Sequence, residues 1–350
     1  MKGIYIPTPV CGPRYVDRWL SYTLPTLLAP DNLPALAKHY KLKLLLCSTH
    51  EDLQRILASP LLKAARDVMG VRVVPMAQNM AELAEKIRFH AQKFNLMNLC
   101  HNYGAELAWQ DDHGLICGLG DAIYTNGSFA EIARHIETGK RAVITQGLDV
   151  TQDRFDALLD AYGVRRDDVA LTIPPRTFAQ IAARSLHPVH QSMIWTADRF
   201  TYHPSVLHWP LDGHGVLLRG FHLFPVFIYP DRKAQIKTTI DGDFIVDALS
   251  DFDDCAFIHD SDQFFFAGIS DETKIDFIPT IPRRADPIAV AQWMAGNTKP
   301  FQRELYIQQK IWLHDGTDRQ AWRAVEDESD RVVADILQSH QLLTAHPALA

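Results

Sequence analysis

Two Asp-x-Asp pairs stand in the second half of the chain, Asp241-Gly242-Asp243 and Asp260-Ser261-Asp262. The second ends the apolar run Phe257-Ile258-His259. In a strand, residues i and i+2 face the same side, so both carboxylates can converge on one hard cation. A cation held there would neutralise a diphosphate leaving group. A further acid, Asp121, follows the apolar run Leu115-Ile116-Cys117 and the stretch Gly118-Leu119-Gly120. A carboxylate in that place can hold a divalent cation or a ribose hydroxyl; a turn aspartate is the plainer alternative. Seven of the 16 histidines lie between residues 187 and 259. Among them His222 sits inside Gly220-Phe221-His222-Leu223-Phe224-Pro225, where its ring nitrogens need partners. It can be a metal ligand, an acid–base group, or a core histidine bonded to a backbone carbonyl. No H-E-x-x-H or H-x-H spacing occurs, so a zinc hydrolase is not favoured.

The elements that must position these groups read as strand and helix in alternation. Strands are expected at Ile4–Val10, Leu42–Cys47, Val71–Met76, Gly114–Leu119 and Arg141–Thr145. Helices are expected at Arg14–Leu28, Glu51–Met69 (capped by Thr49), Met80–Leu107 (capped by Asn79, with a break near Phe94–Asn98) and Phe129–Thr138. That pattern predicts an α/β fold built on a mostly parallel, doubly wound, Rossmann-type sheet. Ligands of such sheets bind beyond the carboxyl ends of the strands. The usable strand ends are Thr8-Pro9-Val10-Cys11-Gly12 with Tyr15 beyond, Ser48-Thr49-His50-Glu51, and Gly118–Asp121. None of them matches a P-loop or a G-x-G-x-x-G fingerprint, which demotes nicotinamide and P-loop nucleotide chemistry. The glycines at 118 and 120 would let the backbone approach a ligand closely.

The second half reads differently. Helices at Thr151–Tyr162 and Arg176–Ser185 lead into a segment rich in His, Trp and Pro, then a strand at Val216–Tyr229 around His222. An amphipathic helix, Asp318–Leu343, closes the chain. Residues 1–150 are expected to form the α/β half, and residues 151–350 a mixed α+β elaboration, continuous with the first half or separate from it.

Composition narrows the function. The 350 residues carry 35 Lys+Arg against 42 Asp+Glu, a net charge of −7, which argues against gripping nucleic acid as the main task. The acids are unevenly placed: ten lie between Asp241 and Glu272, with no Lys or Arg among them. Such a segment repels anions unless a cation sits in it. No run of about 18 apolar residues predicts a membrane span. The N-terminus has no signal-peptide pattern, and the five scattered cysteines form no C-x-x-C pair, so the expected location is cytoplasmic.

The order of pieces resembles the nucleotide-sugar-binding half of GT-A type glycosyltransferases. The residues that carry the resemblance are Thr8-Pro9-Val10-Cys11-Gly12-Pro13-Arg14-Tyr15, Leu44–Thr49, Leu115–Asp121 and Gly139-Lys140-Arg141-Ala142-Val143-Ile144. With Thr23–Pro30, Arg219–Leu223 and Asp260-Ser261-Asp262, the whole chain also resembles a group of uncharacterised bacterial glycosyltransferase-like proteins. The resemblance implies transfer of a sugar from a nucleotide-activated donor to a hydroxyl acceptor, a glycan for example. It implies Thr8, Tyr15, Thr49, Asp121 and Asn126 as donor-binding residues, and Mn²⁺ or Mg²⁺ held by Asp121 with one of the pairs Asp241/Asp243 or Asp260/Asp262. Asp260 and His222 are then the expected catalytic groups. The chain departs from the pattern at Asp121-Ala122-Ile123, which has no second acid two positions on. Two alternatives stand beside this reading. One is a metal-dependent hydrolase built on the His and Asp residues of the second half. The other is a non-catalytic scaffold that forms homo-oligomers through the C-terminal helix.

Overall fold

A computed structural model describes residues 1–76, 90–164, 167–237, 239–272 and 280–345. The first strands form on short runs rich in Ile, Leu and Val: β1 (Ile4–Pro9), β2 (Leu42–Thr49) and β3 (Gly70–Met76). Helix α1 (Pro13–Arg18) follows β1, and its path continues through a π-turn at Trp19–Thr23 into Leu24–Leu27. Between β2 and β3 the expected single helix is two, α2 (His50–Leu57) and α3 (Pro60–Val68). Pro60 is the cause: it has no N–H to continue a helix, and the Ser59 side chain caps the new one at Leu61 N. The expected Asn79 cap lies outside the described residues. Helix α4 (His90–Asp111) runs unbroken through residues 94–98, where a break was expected.

Next come β4 (Gly114–Leu115), β5 (Ala122–Tyr124), α5 (Ser128–Glu137), β6 (Ala142–Thr145), β7 (Leu148–Thr151), α6 (Gln152–Ala161) and α7 (Pro175–Arg184). The remaining strands are β8 (Phe200–Thr201), β9 (Val206–Leu211), β10 (Gly215–Gly220), β11 (Phe224–Ile228), β12 (Cys255–Phe257), β13 (Phe266–Ser270), β14 (Thr280–Ile281) and β15 (Ile311–His314). Helices α8 (Pro287–Asn297) and α9 (Arg319–Ala345) complete the chain. The single strand expected at Val216–Tyr229 is therefore two, β10 and β11, in different sheets, with His222 in the break between them.

The central sheet has seven strands in the order β12-β6-β11-β4-β1-β2-β3. All run parallel except β11, which is antiparallel to both its neighbours. The α/β class and the mostly parallel sheet are as the sequence predicts. Strands β11 and β12 of the second half complete the sheet that the first half begins. From β1 the chain builds outward to β2 and β3, then returns to place β4 on the other side of β1. That reversal opens a crevice at the carboxyl ends of β1 and β4, the place where open α/β sheets take ligands.

Alternate residues feed opposite faces. Ile4, Ile6, Leu42, Leu44, Leu46 and Val143 join one apolar cluster, while Tyr5, Leu45, Ala142 and Ile144 join the other. A third cluster fills the space between the three-stranded sheet β15-β10-β9 and helices α8 and α9. Here Trp322, 1% exposed, packs with Val332, Val333 and Ile336. The apolar face of the C-terminal helix is thus spent on the chain's own core. This corrects the expectation that the face is free for a homo-oligomer. Among the described residues, no helix is long and apolar enough to cross a membrane.

Candidate functional site

Thr8 ends its strand with its side chain inward, 1% exposed, and its Oγ1 reaches Ile6 O at 3.4 Å. The chain beyond β4 keeps pairing with β1: Ile116 N donates to Tyr5 O at 2.9 Å and Gly118 N to Pro7 O at 3.0 Å. A Cβ on Gly118 would lie 2.1 Å from Thr8 Oγ1, and one on Gly120 would lie 2.6 Å from Pro9 O. These two glycines therefore let strand approach strand, not backbone approach ligand as expected. The Thr49 Oγ1 accepts from Asp52 N at 3.2 Å and lies 2.7 Å from Asp52 Oδ2, which also accepts the Gly12 N–H at 2.8 Å. The expected helix cap is present. Thr8 and Thr49, expected among the donor-binding residues, are buried packing and capping groups. Tyr15 is half-buried, with the Arg14 guanidinium 5.7 Å from its ring centre.

His101, fully buried on α4, has Nε2 3.0 Å from Gly118 O and holds the β4 extension from behind. Its Nδ1 is buried with no partner among the described residues. Burial keeps the ring neutral, its pKa lowered to about 4 against a small opposing effect of the Gly118 carbonyl. The neutral ring then donates from Nε2.

Asp121 comes directly after this extension and before β5. Its carbonyl accepts from Ile269 N at 2.8 Å, which joins it to β13. Its carboxylate is half-buried and takes no hydrogen bond or ion pair among the described residues. Asn126 is different. Its Nδ2 donates to Asp31 Oδ2 at 2.7 Å, its Oδ1 accepts from Asp31 N at 3.1 Å, and its own N–H donates to Ile173 O at 2.9 Å. Expected among the donor-binding residues, it clasps two loops together.

A second polar group lies where β12 leaves the central sheet. The chain past Phe257 pairs with β15: Trp312 N donates to His259 O at 2.7 Å, and Ser261 N to Trp312 O at 2.9 Å. This brings His314 to Asp260, with Nε2 2.8 Å from Oδ1. Asp260 Oδ1 also accepts the Asp262 N–H at 2.8 Å. Asp262 in turn takes Nε and Nη2 of Arg176 at 3.0 and 2.9 Å. Sequence reasoning missed both His314 and Arg176. The first stands 54 residues from Asp260 and the second 86 from Asp262, with no local signal to link them.

One ligand atom from each of Asp260, Asp262 and His314 lies within 4.8 Å of the others. Among the described residues it is the only such group of three His, Cys, Asp or Glu, so Asp121, Asp241, Asp243 and His222 join no cluster of this kind. Of the expected metal ligands, Asp260 and Asp262 do come together, joined by His314. The spacing suits a cation, but the protons do not. Gly316 N donates to His314 Nδ1 at 3.0 Å, so Nδ1 is an acceptor and the ring proton sits on Nε2, facing Asp260. A metal at Nε2 would move that proton to Nδ1, against the Gly316 N–H. The Asp260 carboxylate raises the His314 pKa, while the Gly316 contact opposes a second proton. Burial works against the charge on Asp260, but His314 and the Asp262 amide outweigh it and hold its pKa below the ordinary value. With Arg176 clamped on Asp262, the group is a closed ion-paired network and does not fit an open cation site.

The first Asp-x-Asp pair lies elsewhere. Asp243 is 3.8 Å from Lys299 Nζ, and the Asp241 carbonyl accepts from Gln302 Nε2 at 3.4 Å. The same Gln302 Nε2 reaches His222 Nδ1 at 3.4 Å, while His222 Nε2 lies 3.2 Å from Asn297 O. His222 thus has the carbonyl-bonded arrangement, one of the three that the sequence leaves open for it. The acidic segment is not a bare patch either. Of its ten acids, Asp243, Asp247, Asp262, Asp271 and Glu272 meet Lys299, Lys237, Arg176, Arg14 with Arg18, and Arg154. Cations from outside the segment thus pair with half of its acids.

Comparison of the chain with models of known protein families and with curated proteins gives no match.

Proposed function

We propose that the chain is a glycosyltransferase that takes its sugar from a nucleotide-activated donor, with the donor diphosphate bound at the carboxyl ends of β1 and β4. The observation that carries this reading is Asp121: a half-buried carboxylate at the crossover reversal, free of any hydrogen bond or ion pair among the described residues. A buried or half-buried carboxylate is ordinarily paired, because desolvation penalises a lone charge. One left open at a ligand-binding edge has a ligand as its natural partner.

Mn²⁺ or Mg²⁺ binds through one or two carboxylates together with substrate phosphates, so Asp121 would share such an ion with the donor diphosphate. When bound, such an ion offsets the charge that grows on the departing diphosphate. The chain's own part is to hold Asp121 in position. His101 fixes the Gly118 carbonyl on one side, and the Ile269 N–H fixes the Asp121 carbonyl on the other. Asp260, kept ionised and oriented by His314 beyond the end of β12, serves the acceptor side, where a hydroxyl must be aligned with the sugar.

The test is binding of a panel of nucleoside diphosphates with Mn²⁺, followed by product analysis with the matching sugar nucleotides. Substitution of Asp121 must abolish both. Unchanged binding and turnover in Asp121→Asn would sink the proposal.

A further inference from the structure

Two buried imidazoles of the histidine-rich stretch meet edge to edge, and the donor site uses neither. His208, on β9, is fully buried; His190, on the single helical turn Pro188–Gln191, is 8% exposed. His190 Nδ1 lies 3.4 Å from His208 Nε2, and the two ring planes are inclined by only 19°. The other nitrogen of His190, Nε2, is 3.8 Å from Asp149 Oδ2 on β7, a carboxylate that reaches solvent. His208 Nδ1 is buried with no partner among the described residues.

The neighbours fix where the protons sit. The Asp149 carboxylate favours a proton on His190 Nε2, so His190 Nδ1 accepts the His208 Nε2–H. The reverse order would set a bare nitrogen against the carboxylate and leave a buried N–H on His208 without an acceptor. Asp149, His190 and His208 thus form one directed chain, with both rings neutral. A second proton has no place in it. On His190 it would go to Nδ1, against the His208 N–H. On His208 it would go to the Nδ1 that has no acceptor. Burial lowers both pKa values; Asp149 opposes the shift at His190, His187 adds to it there, and His190 adds to it at His208. Those are the titratable groups that face the two rings, and β10 presents Leu218 opposite His208.

The pair clamps a peripheral segment. β9 is the outer strand of its sheet, and Met193 to Trp195 lie along its free edge. There His208 N donates to Met193 O at 3.1 Å, and Trp195 N to His208 O at 3.0 Å. The segment starts at His187, whose Nδ1 accepts the Val189 N–H and whose Nε2 donates to Asp271 O at 3.0 Å. The Asp271 carboxylate in turn holds Arg14 and Arg18, on the helix that follows β1. We propose that His190 and His208 are a proton-sensitive latch, which holds residues 187–195 on β9 while both rings are neutral and releases them when the rings charge. The latch is complete above the ordinary imidazole pKa near 6.5 and is lost as pH falls below it, because the latched rings bind protons more weakly than the released ones. Release takes away the His187 support of Asp271. The latch stands whether or not the chain transfers sugars.

The experiment is amide hydrogen exchange of the full chain between pH 7.5 and pH 5, with the intrinsic effect of pH on exchange divided out. Each ring that charges on release multiplies the opening equilibrium by about thirtyfold over that range. Protection of the peptide covering residues 187–195 should therefore fall by at least about thirtyfold, and at pH 5 it should lie below that of β1 and β2. In His208→Gln the side-chain amide can donate to a neutral His190 or accept from a charged one, so the loss should shrink to under about threefold. The proposal is overturned if the wild-type segment keeps its protection at pH 5, if it opens only together with β1 and β2, or if His208→Gln loses as much as wild type. If His208→Gln fails to fold, carbethoxylation of wild type by diethyl pyrocarbonate, mapped by peptide mass spectrometry, decides. Labelling of His190 and His208 relative to the exposed His203 should rise from pH 7.5 to pH 5.5, and an unchanged ratio overturns the latch.

Discussion

Gly118→Ala tests how the crevice is built. The new Cβ would stand 2.1 Å from Thr8 Oγ1, 3.1 Å from Thr8 Cβ and 3.3 Å from Pro7 O. The first contact is impossible and the other two are tight. Relief by moving the backbone would break the 3.0 Å bond from Gly118 N to Pro7 O, and the Thr8 hydroxyl has no free space because it is 1% exposed. Overpacking of this kind costs about 3 kcal/mol, the upper part of its usual range. Thr8→Ala alone costs about 1 kcal/mol, since it removes a buried methyl and one long hydrogen bond. It also removes the clashing atom. The double variant should therefore lose about 2 kcal/mol, not the 4 that additivity gives, a coupling of roughly 2 kcal/mol. Reversible urea unfolding of the four chains at one pH measures all three differences. Additivity within about 0.5 kcal/mol would refute the packing described for this edge.

Three further outcomes follow from the same geometry. His101 is neutral in the folded chain down to about pH 4, whereas the unfolded imidazole takes a proton near 6.5. Its contribution is complete above pH 6.5 and is lost as pH falls toward 4, about 3 kcal/mol in all; His101→Gln should flatten that part of the stability profile, and an unchanged slope counts against it. Nitrogen NMR should place the His314 proton on Nε2 at pH 8, and Asp260→Asn should lower the His314 pKa, because the carboxylate is what favours the charged ring; an unmoved titration refutes the pairing. Trp322→Ala, at a site 1% exposed, should cost about 3 to 5 kcal/mol by denaturant unfolding, and a loss under 1 would mean that the helix face is not core.

How far these groups are legible in the sequence depends on the range of the interaction. β1, β2 and β3 are short runs rich in Ile, Leu and Val, and each is found within a few residues of its expected bounds. The Thr49 cap is a contact three residues long and was readable for that reason. The break at Ser59-Pro60 was also written locally, but an otherwise helical apolar spacing hid it. The run around His222 is apolar on both sides of a turn, and composition does not reveal that its halves enter different sheets. Long-range pairing defeats local reading altogether. His314 reaches Asp260 because the chain past β12 leaves one sheet for another, and Arg176 reaches Asp262 from the start of α7. The ten acids of residues 241–272 looked unbalanced for the same reason: their cations come from residues 14 to 18, 154, 176, 237 and 299.

The most direct test of the donor site is calorimetric titration of nucleoside diphosphates in Mn²⁺ with wild type, Asp121→Asn and Asp243→Asn. The account predicts that at least one nucleotide binds, that Asp121→Asn weakens it by at least about tenfold, equivalent to 1.4 kcal/mol, and that Asp243→Asn, whose carboxylate lies against Lys299, does not. Equal affinity in wild type and Asp121→Asn, or no binding by any nucleotide, would contradict it.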